Sequence, residues 1–205
     1  MPKGSPERTA ARKEEIISAC EKLYQTMSFK DITLKEIGNE TSFSRPTIYN
    51  YYQTKEEIFL ALFEREYIRW NEELQSILQE NEELTQEQLA NKLASSIANR
   101  QQLLKLLSMN NYDMEENSRH ELLTSFKVAY GESMKNVYRI ITKFCPEKSV
   151  QEIQNFIYIF FPFMFGIYPY TSVTDKQREA MKEANVDYVY QSIFEITNNC
   201  LLKLL

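Results

Sequence analysis

Glycine, proline and histidine are scarce in this chain of 205 residues. Four glycines and six prolines provide few turn positions, so the composition favours long helices joined by short loops. The single histidine, His120, and the lack of HExxH, GxSxG and GxxxxGKS/T patterns argue against the common enzyme classes. The acidic residues around His120 lack the spacing of a specific metal site. We therefore predict no catalytic residue, no metal and no cofactor.

Cysteines and long apolar runs are also few. Cys20, Cys145 and Cys200 show no CxxC spacing, which favours buried thiols in a reducing compartment, with a redox sensor as the alternative. The most apolar run, 156–170, contains two prolines and is shorter than the ~20 residues that a membrane helix needs. The N-terminal segment lacks the apolar core of a signal peptide. We expect a cytoplasmic protein with no membrane contact.

The charge of the chain is unevenly distributed. The formal net charge is −5, so the chain as a whole does not suit a polyanion. Residues 1–55 nevertheless carry nine Lys/Arg against seven Asp/Glu, while the remainder is acidic. A mildly basic N-terminal segment weakly indicates local contact with nucleic acid. The basic residues before residue 14 could follow a DNA groove or be disordered.

Helix start signals recur along the chain. In a capping box, a Ser or Thr hydroxyl accepts from the N3 amide and the N3 Glu or Gln reaches back. Five pairs fit this pattern: Thr33 with Glu36, Thr54 with Glu57, Thr85 with Gln88, Ser149 with Glu152 and Thr174 with Gln177. Apolar residues follow at helical spacing, and nothing alternates at period two. We predict an all-α protein with helices over about 7–26, 34–40, 45–51, from 54 well past 66, 86–99, 100–109, 119–144, 150–168 and 175–204.

Residues 33–55 carry the polar chemistry of the chain. Two short helical patterns lie one tight turn apart, and the second presents more polar and aromatic groups than solubility requires. Such a helix fits the major groove of DNA. Arg45 suits a guanine edge, Asn50 an adenine edge, the Thr47 methyl a thymine, and the Tyr49 hydroxyl a phosphate. Lys55 begins the next helix, where free amides and an ammonium suit a phosphate. The alternative is an ordinary buried helical hairpin.

This segment resembles the DNA-binding domain of the TetR family of bacterial transcription regulators. The resemblance rests on Tyr24, Thr33, the run TIYNYY at 47–52 and the run KEEI at 55–58, and it covers about 12–63 without gaps. It implies phosphate contacts by Thr33, Thr47, Tyr49 and Lys55. It also implies base or adjacent backbone contacts by Lys35, Ser44, Arg45, Asn50 and Tyr51.

Two residues depart from the family pattern. Ser42 occupies a turn position where the family usually has glycine, which would cost on the order of 1 kcal/mol if the backbone there is left-handed. Gly38 stands where the family usually has alanine inside the second helix, at a similar cost. Neither departure removes a group that would contact DNA.

The resemblance divides the chain into a helix-turn-helix DNA-binding domain at 1–63 and a larger helical domain for effector binding and dimerisation at 64–205. Aromatic and methionine side chains crowd two helices of the second part, and such side chains can line an apolar pocket. The pocket candidates are Phe126, Tyr130, Met134, Tyr138, Phe161, Phe165 and Tyr168. Ordinary core plus dimer surface is the alternative reading of the same residues.

The resemblance implies a homodimeric repressor that binds a palindromic operator in double-stranded DNA and leaves it when an unknown small effector binds. One alternative is a regulator of the same kind that a partner protein controls without a small effector. The other is an enzyme or carrier on an all-helical scaffold, in which the N-terminal motif is incidental.

Overall fold

The computed structural model describes residues 5–109 and 111–205. Within these ranges all regular structure is helical and no residue lies in a strand, which confirms the predicted fold class. The helices in the described part of the chain are α1 (Pro6–Thr26), α2 (Leu34–Asn39), α3 (Arg45–Ile48), α4 (Lys55–Glu80), α5 (Gln86–Ala98), α6 (Gln101–Leu107), α7 (Asn111–Glu116), α8 (His120–Phe144), α9 (Val150–Thr171), α10 (Asp175–Glu183) and α11 (Ile193–Leu204).

The described residues form two compact units. The first contains 5–65 and 111–128, and the second contains 66–109 and 129–205. Segments that are distant in sequence therefore share the first unit: α1 to α3, the start of α4, α7 and the start of α8. The division into domains at residue 63 stays a prediction.

The core of the first unit is built from apolar residues on α1 to α4. Ile16, Ile37 and Ile48 are fully buried, so α1, α2 and α3 each contribute a side chain to a common core. Phe59 of α4 completes this core. Its ring meets the ring of Tyr24 edge-on at 5.1 Å between centroids, a geometry that aromatic pairs favour. The core thereby fixes the position of α3 against the rest of the unit.

An ion-pair cluster ties α1 to α4 within the same unit. Arg65 is buried and donates through Nη1 to the Ser18 hydroxyl at 2.9 Å and through Nη2 to the Glu21 carboxylate at 2.7 Å. It also donates to the carboxylate of Glu14. Because a planar guanidinium can satisfy several acceptors at once, one side chain sets the position of α1 along α4.

The second unit is organised around an aromatic cluster. Trp70 is fully buried, and its ring lies 5.8 Å from that of Phe161. The ring of Tyr130 meets those of Tyr67 and Phe161 edge-on, at 5.5 and 5.7 Å. The indole N–H of Trp70 donates to the buried Ser96 hydroxyl at 3.1 Å, so its polar atom is satisfied.

The predicted single helix over 175–204 is wrong. α10 ends in a Schellman motif: Asn185 has a positive φ of 52°, its N–H donates to the Lys182 carbonyl, and the N–H of Val186 donates to that of Met181. The chain then runs without helix until Ser192, whose capping box starts α11. Asn tolerates the left-handed conformation better than most residues, so Asn185 was the missed signal.

Among the described residues, no single helix is both long enough and apolar enough to cross a membrane. α9 and α10 meet these two requirements only when they are taken together, and the angle between them is 83°.

Two further differences concern short elements. α3 stops at Ile48, so the predicted helix over 45–51 is too long. The amides of Asn50 and Tyr51 donate three residues back, to Thr47 and Ile48, which forms a tight turn after α3. α7 was not predicted, because six residues with little apolar periodicity give no usable sequence signal.

Candidate nucleic-acid interface

The first half of the candidate interface is α2, which begins at Thr33. The Thr33 hydroxyl accepts from the amides of Lys35 and Glu36 at 3.2 and 3.4 Å, as the sequence predicted. Lys35 is exposed in the first turn. Gly38 lies close to the start of α3, because a Cβ built on it would be 3.3 Å from the Cβ of Arg45. The glycine thus permits the close approach of α2 to α3.

The turn between α2 and α3 does not need a glycine. Among the described residues, Asn185 is the one non-glycine residue with a positive φ, so the predicted backbone cost at Ser42 does not arise. The amide of Ser42 instead donates to the carboxylate of Glu15 on α1. The Thr41 hydroxyl bonds to the carbonyls of Gly38 and Phe43 at 2.9 and 3.0 Å. Side chains therefore fix this turn.

The side chains of α3 and the turn after it form an exposed polar group. Arg45 donates through Nη2 to the Tyr49 hydroxyl at 3.2 Å, which leaves its other guanidinium N–H groups facing solvent. The hydroxyls of Ser44 and Thr47 lie 3.3 Å apart. Asn50 is exposed, and Tyr49 is 48% exposed. The structure thus pairs Arg45 with Tyr49 and Ser44 with Thr47.

Lys55 contacts the loop before α2. Its ammonium donates to the carbonyls of Phe29 and Ile32 at 2.8 and 3.2 Å and lies 4.2 Å from the centroid of the Phe29 ring. An ammonium has three donors, so one N–H is left for a phosphate. The predicted phosphate contact stays a prediction. The observed contacts place the charge beside Thr33, the other predicted phosphate ligand on this side.

Arg12 is a neighbour of the interface whose position the sequence did not reveal. It lies in α1, within the predicted helix over 7–26, with its guanidinium 5.6 Å from the centroid of the Phe43 ring. Its Nη1 donates to the hydroxyl of the half-buried Tyr51 at 3.4 Å. Arg12 thus contacts the turn between α2 and α3 and also the turn after α3. A positive charge at this place would attract the phosphates of DNA. Only tertiary structure brings these residues together.

The pocket candidates are dispersed. Phe126 belongs to the first unit, where it is buried against Phe63 at 4.9 Å between centroids. In the second unit, Tyr130 and Phe161 pack in the aromatic cluster around Trp70. Met134, Tyr138 and Tyr168 are half-buried, and Phe165 is 42% exposed. A surface depression of about 380 Å³ lies between α4 and α5, lined by Glu73, Ser76, Ser95 and their neighbours, and none of the seven candidates lines it.

The three cysteines are free thiols, two of them buried and Cys200 half-buried. Burial raises the pKa of Cys20, which is fully buried, and it also raises the pKa values of Cys145 and Cys200. Thiols with raised pKa values are protonated at neutral pH and react slowly with oxidants. Within the described ranges, no three His, Cys, Asp or Glu side chains are grouped as a metal site requires.

The all-helical fold, with a short exposed polar helix held across a fixed turn from α2, defines the class of helix-turn-helix DNA-binding regulators. Family models agree. Residues 16–62 match that of the bacterial regulatory proteins of the tetR family, and 64–191 match the tetracyclin repressor-like C-terminal domain. The second match alone spans more than half of the chain, so this protein belongs to the TetR family of transcriptional regulators. No catalytic family is indicated.

Solved structures show the same fold along nearly the whole chain. FadR from Bacillus subtilis in complex with stearoyl-CoA is 17% identical, with a TM-score of 0.60 over 93% of this chain and 96% of that one. FadR from Thermus thermophilus in complex with lauroyl-CoA is 18% identical, with a TM-score of 0.53 over 94% of both chains. A TetR-family regulator from Mesorhizobium loti is 16% identical, with a TM-score of 0.60 over 96% and 95%. No curated protein is significantly similar in sequence.

Proposed function

We propose that this protein is a cytoplasmic homodimeric repressor that binds a palindromic operator through α3 and is released by a small effector in its C-terminal part. The observation that carries the proposal is the exposed polar group on α3 and the turn after it, in a chain of the TetR family. Acidic overall charge argues against a general polyanion binder. Specific reading by a few side chains is therefore the better account of these residues.

The roles of the side chains follow from their chemistry and surroundings. The Tyr49 hydroxyl holds one guanidinium nitrogen of Arg45, which orients the remaining N–H groups for a guanine edge. Asn50 suits an adenine edge. Phosphate contacts are assigned to Thr33, Thr47 and Lys55, with Tyr49 as a further donor. Lys35, Ser44 and Tyr51 are assigned to base or adjacent backbone contacts.

A dimer is supported by the exposed side of α9. Tyr158 and Ile159 are 72% and 51% exposed, and Phe165 follows about two turns later on the same side. α11, which packs against α9, exposes Leu202. Monomers seldom expose apolar surface of this extent, and a second copy of the same surface would cover it. Two copies of α3 then bind two half-sites of a palindrome.

A fatty acyl-CoA is the effector class that we favour. The B. subtilis and T. thermophilus structures hold stearoyl-CoA and lauroyl-CoA. The candidates Tyr130, Met134 and Phe161 offer aromatic and thioether surface that suits an acyl chain. Such an effector would favour a conformer with a different distance between the two copies of α3. The two copies would then no longer fit the two half-sites, so operator affinity would fall. Moving such an equilibrium from one state to the other takes several kcal/mol of differential affinity.

Competitive DNA binding with an effector titration tests the proposal. Fluorescence anisotropy would follow a labelled duplex from upstream of the gene, with unrelated duplex as competitor. We expect lauroyl-CoA or stearoyl-CoA to weaken binding about tenfold or more, and coenzyme A alone to have no effect. Trp70 is the single tryptophan and touches Phe161, so its emission reports pocket binding in the absence of DNA.

Two matched variants locate the effect. Met134→Glu places a charge among the pocket candidates, so we expect it to abolish the acyl-CoA response and preserve DNA binding. Ser95→Glu places the same charge in the depression between α4 and α5 and should leave both properties unchanged. A response that Ser95→Glu removes and Met134→Glu preserves would contradict the assigned pocket.

Control by a partner protein is a second candidate, favoured by the packing of the aromatic cluster. The rings of Tyr130 and Phe161 already contact each other and their neighbours, so they serve as core without a ligand. Specific DNA binding that no acyl-CoA alters, with unchanged Trp70 emission, would support this candidate over a small effector.

A further inference from the structure

A polar junction joins the start of α8 to the end of the turn that follows α3, within the first unit. This turn, residues 49–52, is called the recognition turn below. Arg119 immediately precedes α8, and its Nη2 donates to the carbonyl oxygen of Tyr51 at 2.8 Å. The same guanidinium donates to both carboxylate oxygens of Glu57, from Nε at 2.7 Å and from Nη2 at 3.0 Å. One side chain thus bridges the end of the turn after α3 and the first turn of α4.

A second contact reinforces the junction two residues earlier. The Thr54 hydroxyl donates to the carbonyl of Asn117 at 3.0 Å and accepts from the amide of Glu57 at 3.1 Å. The backbone N–H of Arg119 also donates to Glu57, at 3.1 Å. Residues 117–119, which we call the α8 clamp, therefore contact both ends of the connection between α3 and α4.

The carboxylate at the centre of the junction is buried and charged. Glu57 is 1% exposed. Burial raises the pKa of Glu57, but hydrogen bonds from Arg119 and from the amides of Gln53 and Arg119 outweigh it and hold that pKa below the usual value. A buried carboxylate with this many donors fixes their relative positions, because losing one donor leaves a buried charge poorly paired.

The clamp binds the end of the recognition turn. α3 has one helical turn, and after it the amides of Tyr51 and Tyr52 both donate to the carbonyl of Ile48, at 2.8 and 3.0 Å. The Tyr51 carbonyl is the next acceptor along the chain, and Arg119 occupies it. The backbone that carries Asn50 is thus held on one side by the core through Ile48 and on the other by Arg119.

We propose that Arg119 is a positioning residue for DNA reading, although it lies in the C-terminal part of the sequence and is not assigned a DNA contact. This inference rests on the proposed DNA-binding function. Residue 119 falls within the span of the C-terminal family model, 64–191, whereas α3 falls within the N-terminal one, 16–62. α8 also carries the pocket candidates Tyr130 and Met134. The contact of Arg119 therefore links the start of α8 to the recognition turn within the first unit.

Arg119→Lys tests the proposal in the full-length protein. Lysine keeps the positive charge beside Glu57 but cannot bridge both carboxylate oxygens and the Tyr51 carbonyl as the guanidinium fork does. We expect affinity for the specific duplex to fall about tenfold, as when a base contact is misaligned. Affinity for unrelated duplex and the salt dependence of binding should stay unchanged, because the phosphate contacts are intact.

Arg100→Lys is the matched control. Arg100 donates from Nε to Glu73 at 2.7 Å, in the second unit, and both side chains are half-buried. We expect some loss of stability in chemical denaturation, smaller than for Arg119→Lys because Glu57 is 1% exposed and Glu73 is half-buried, and no change in the ratio of specific to non-specific affinity. If Arg119→Lys does not fold, the double variant Glu57→Gln with Arg119→Gln leaves no unpaired charge and should show the same loss of specificity.

The outcomes separate this inference from the proposed function. Wild-type protein that prefers no duplex over competitor contradicts the proposed function itself. Wild-type protein that binds specifically, while Arg119→Lys or the double variant keeps the same ratio of specific to non-specific affinity, contradicts only the role of Arg119. An equal loss of specificity in Arg100→Lys contradicts it as well, because general destabilisation would then be the cause.

Discussion

Replacing Ile159 by glutamate is expected to make the protein monomeric and to lower its affinity for a palindromic duplex by at least about 100-fold. Ile159 lies within α9 on its exposed apolar side, beside Tyr158. A two-fold interface would bury two copies of the new carboxylate, and unpaired buried charges are costly. A monomer binds only one half-site. In a dimer, the first bound copy raises the effective concentration of the second copy at its half-site, and a monomer lacks this gain. Analytical ultracentrifugation and anisotropy measure the two effects.

Val128→Glu is the control for this variant. Val128 is 67% exposed on α8 and belongs to the first unit, whereas Ile159 belongs to the second. The same change in charge there should preserve the dimer and the operator affinity. A dimer that survives Ile159→Glu would place the interface elsewhere, and full DNA affinity of a monomeric variant would contradict binding to a palindrome.

Removing the guanidinium of Arg45 should cost about 1–3 kcal/mol of specific binding free energy per half-site. Arg45 is exposed at the start of α3 and held by the Tyr49 hydroxyl. Arg45→Ala should weaken binding to unrelated duplex little, because a base contact contributes to specificity more than to the salt-dependent attraction. Binding titrations at two salt concentrations separate these contributions.

Arg178→Ala is a close control for Arg45→Ala. Both variants remove an arginine that lies over a tyrosine ring. The guanidinium of Arg178 lies 4.6 Å from the centroid of the Tyr190 ring, and that of Arg45 lies 6.0 Å from the centroid of the Tyr49 ring. Because α10 belongs to the second unit, operator affinity should not change. If Arg45→Ala instead lowers specific and non-specific affinity equally and reduces the salt slope, Arg45 contacts phosphate and does not read a base.

Local signals in the sequence predicted most of the helices. The capping boxes at Thr85, Ser149 and Thr174 are all present, each with the hydroxyl and the N3 side chain bonded as expected. Such motifs are reliable because every atom involved lies within four residues. Thr33 and Thr54 are partial exceptions. Thr33 caps α2, but its hydroxyl donates to the Glu36 carboxylate in place of the predicted bond from the Thr33 amide. Thr54 caps α4, but the Glu57 carboxylate accepts from the Gln53 amide and from Arg119.

Two physical causes explain the helix ends that were predicted wrongly. Periodicity continues through 184–192 in sequence, but the left-handed residue Asn185 and a second capping box at Ser192 divide the predicted last helix. A pattern of apolar residues reports which side is buried, and it does not report where the backbone changes direction. The end points of short elements such as α3 depend on hydrogen bonds that only the folded chain supplies.

In the candidate interface, too, some residues could be predicted from the sequence and others could not. Thr33, Arg45, Tyr49 and Asn50 all lie in the short segment 33–55 and could be selected from the sequence. Arg119 could not, because its partner Glu57 lies 62 residues away and the contact exists only after α7 and α8 return to the first unit. Sequence patterns therefore identify a reading surface more easily than the residues that hold it in place.

Selection from a pool of random duplexes is a direct test of sequence-specific DNA binding by a symmetric dimer, because it requires no knowledge of the operator. Purified wild-type protein would be incubated with the pool, and bound duplexes would be amplified and sequenced over several rounds. We expect enrichment of one sequence with two-fold symmetry, whose half-site centres lie about one helical turn or more apart, and loss of that enrichment with Arg45→Ala. A pool that stays random, or enriches a single asymmetric site, would contradict sequence-specific reading by a symmetric dimer.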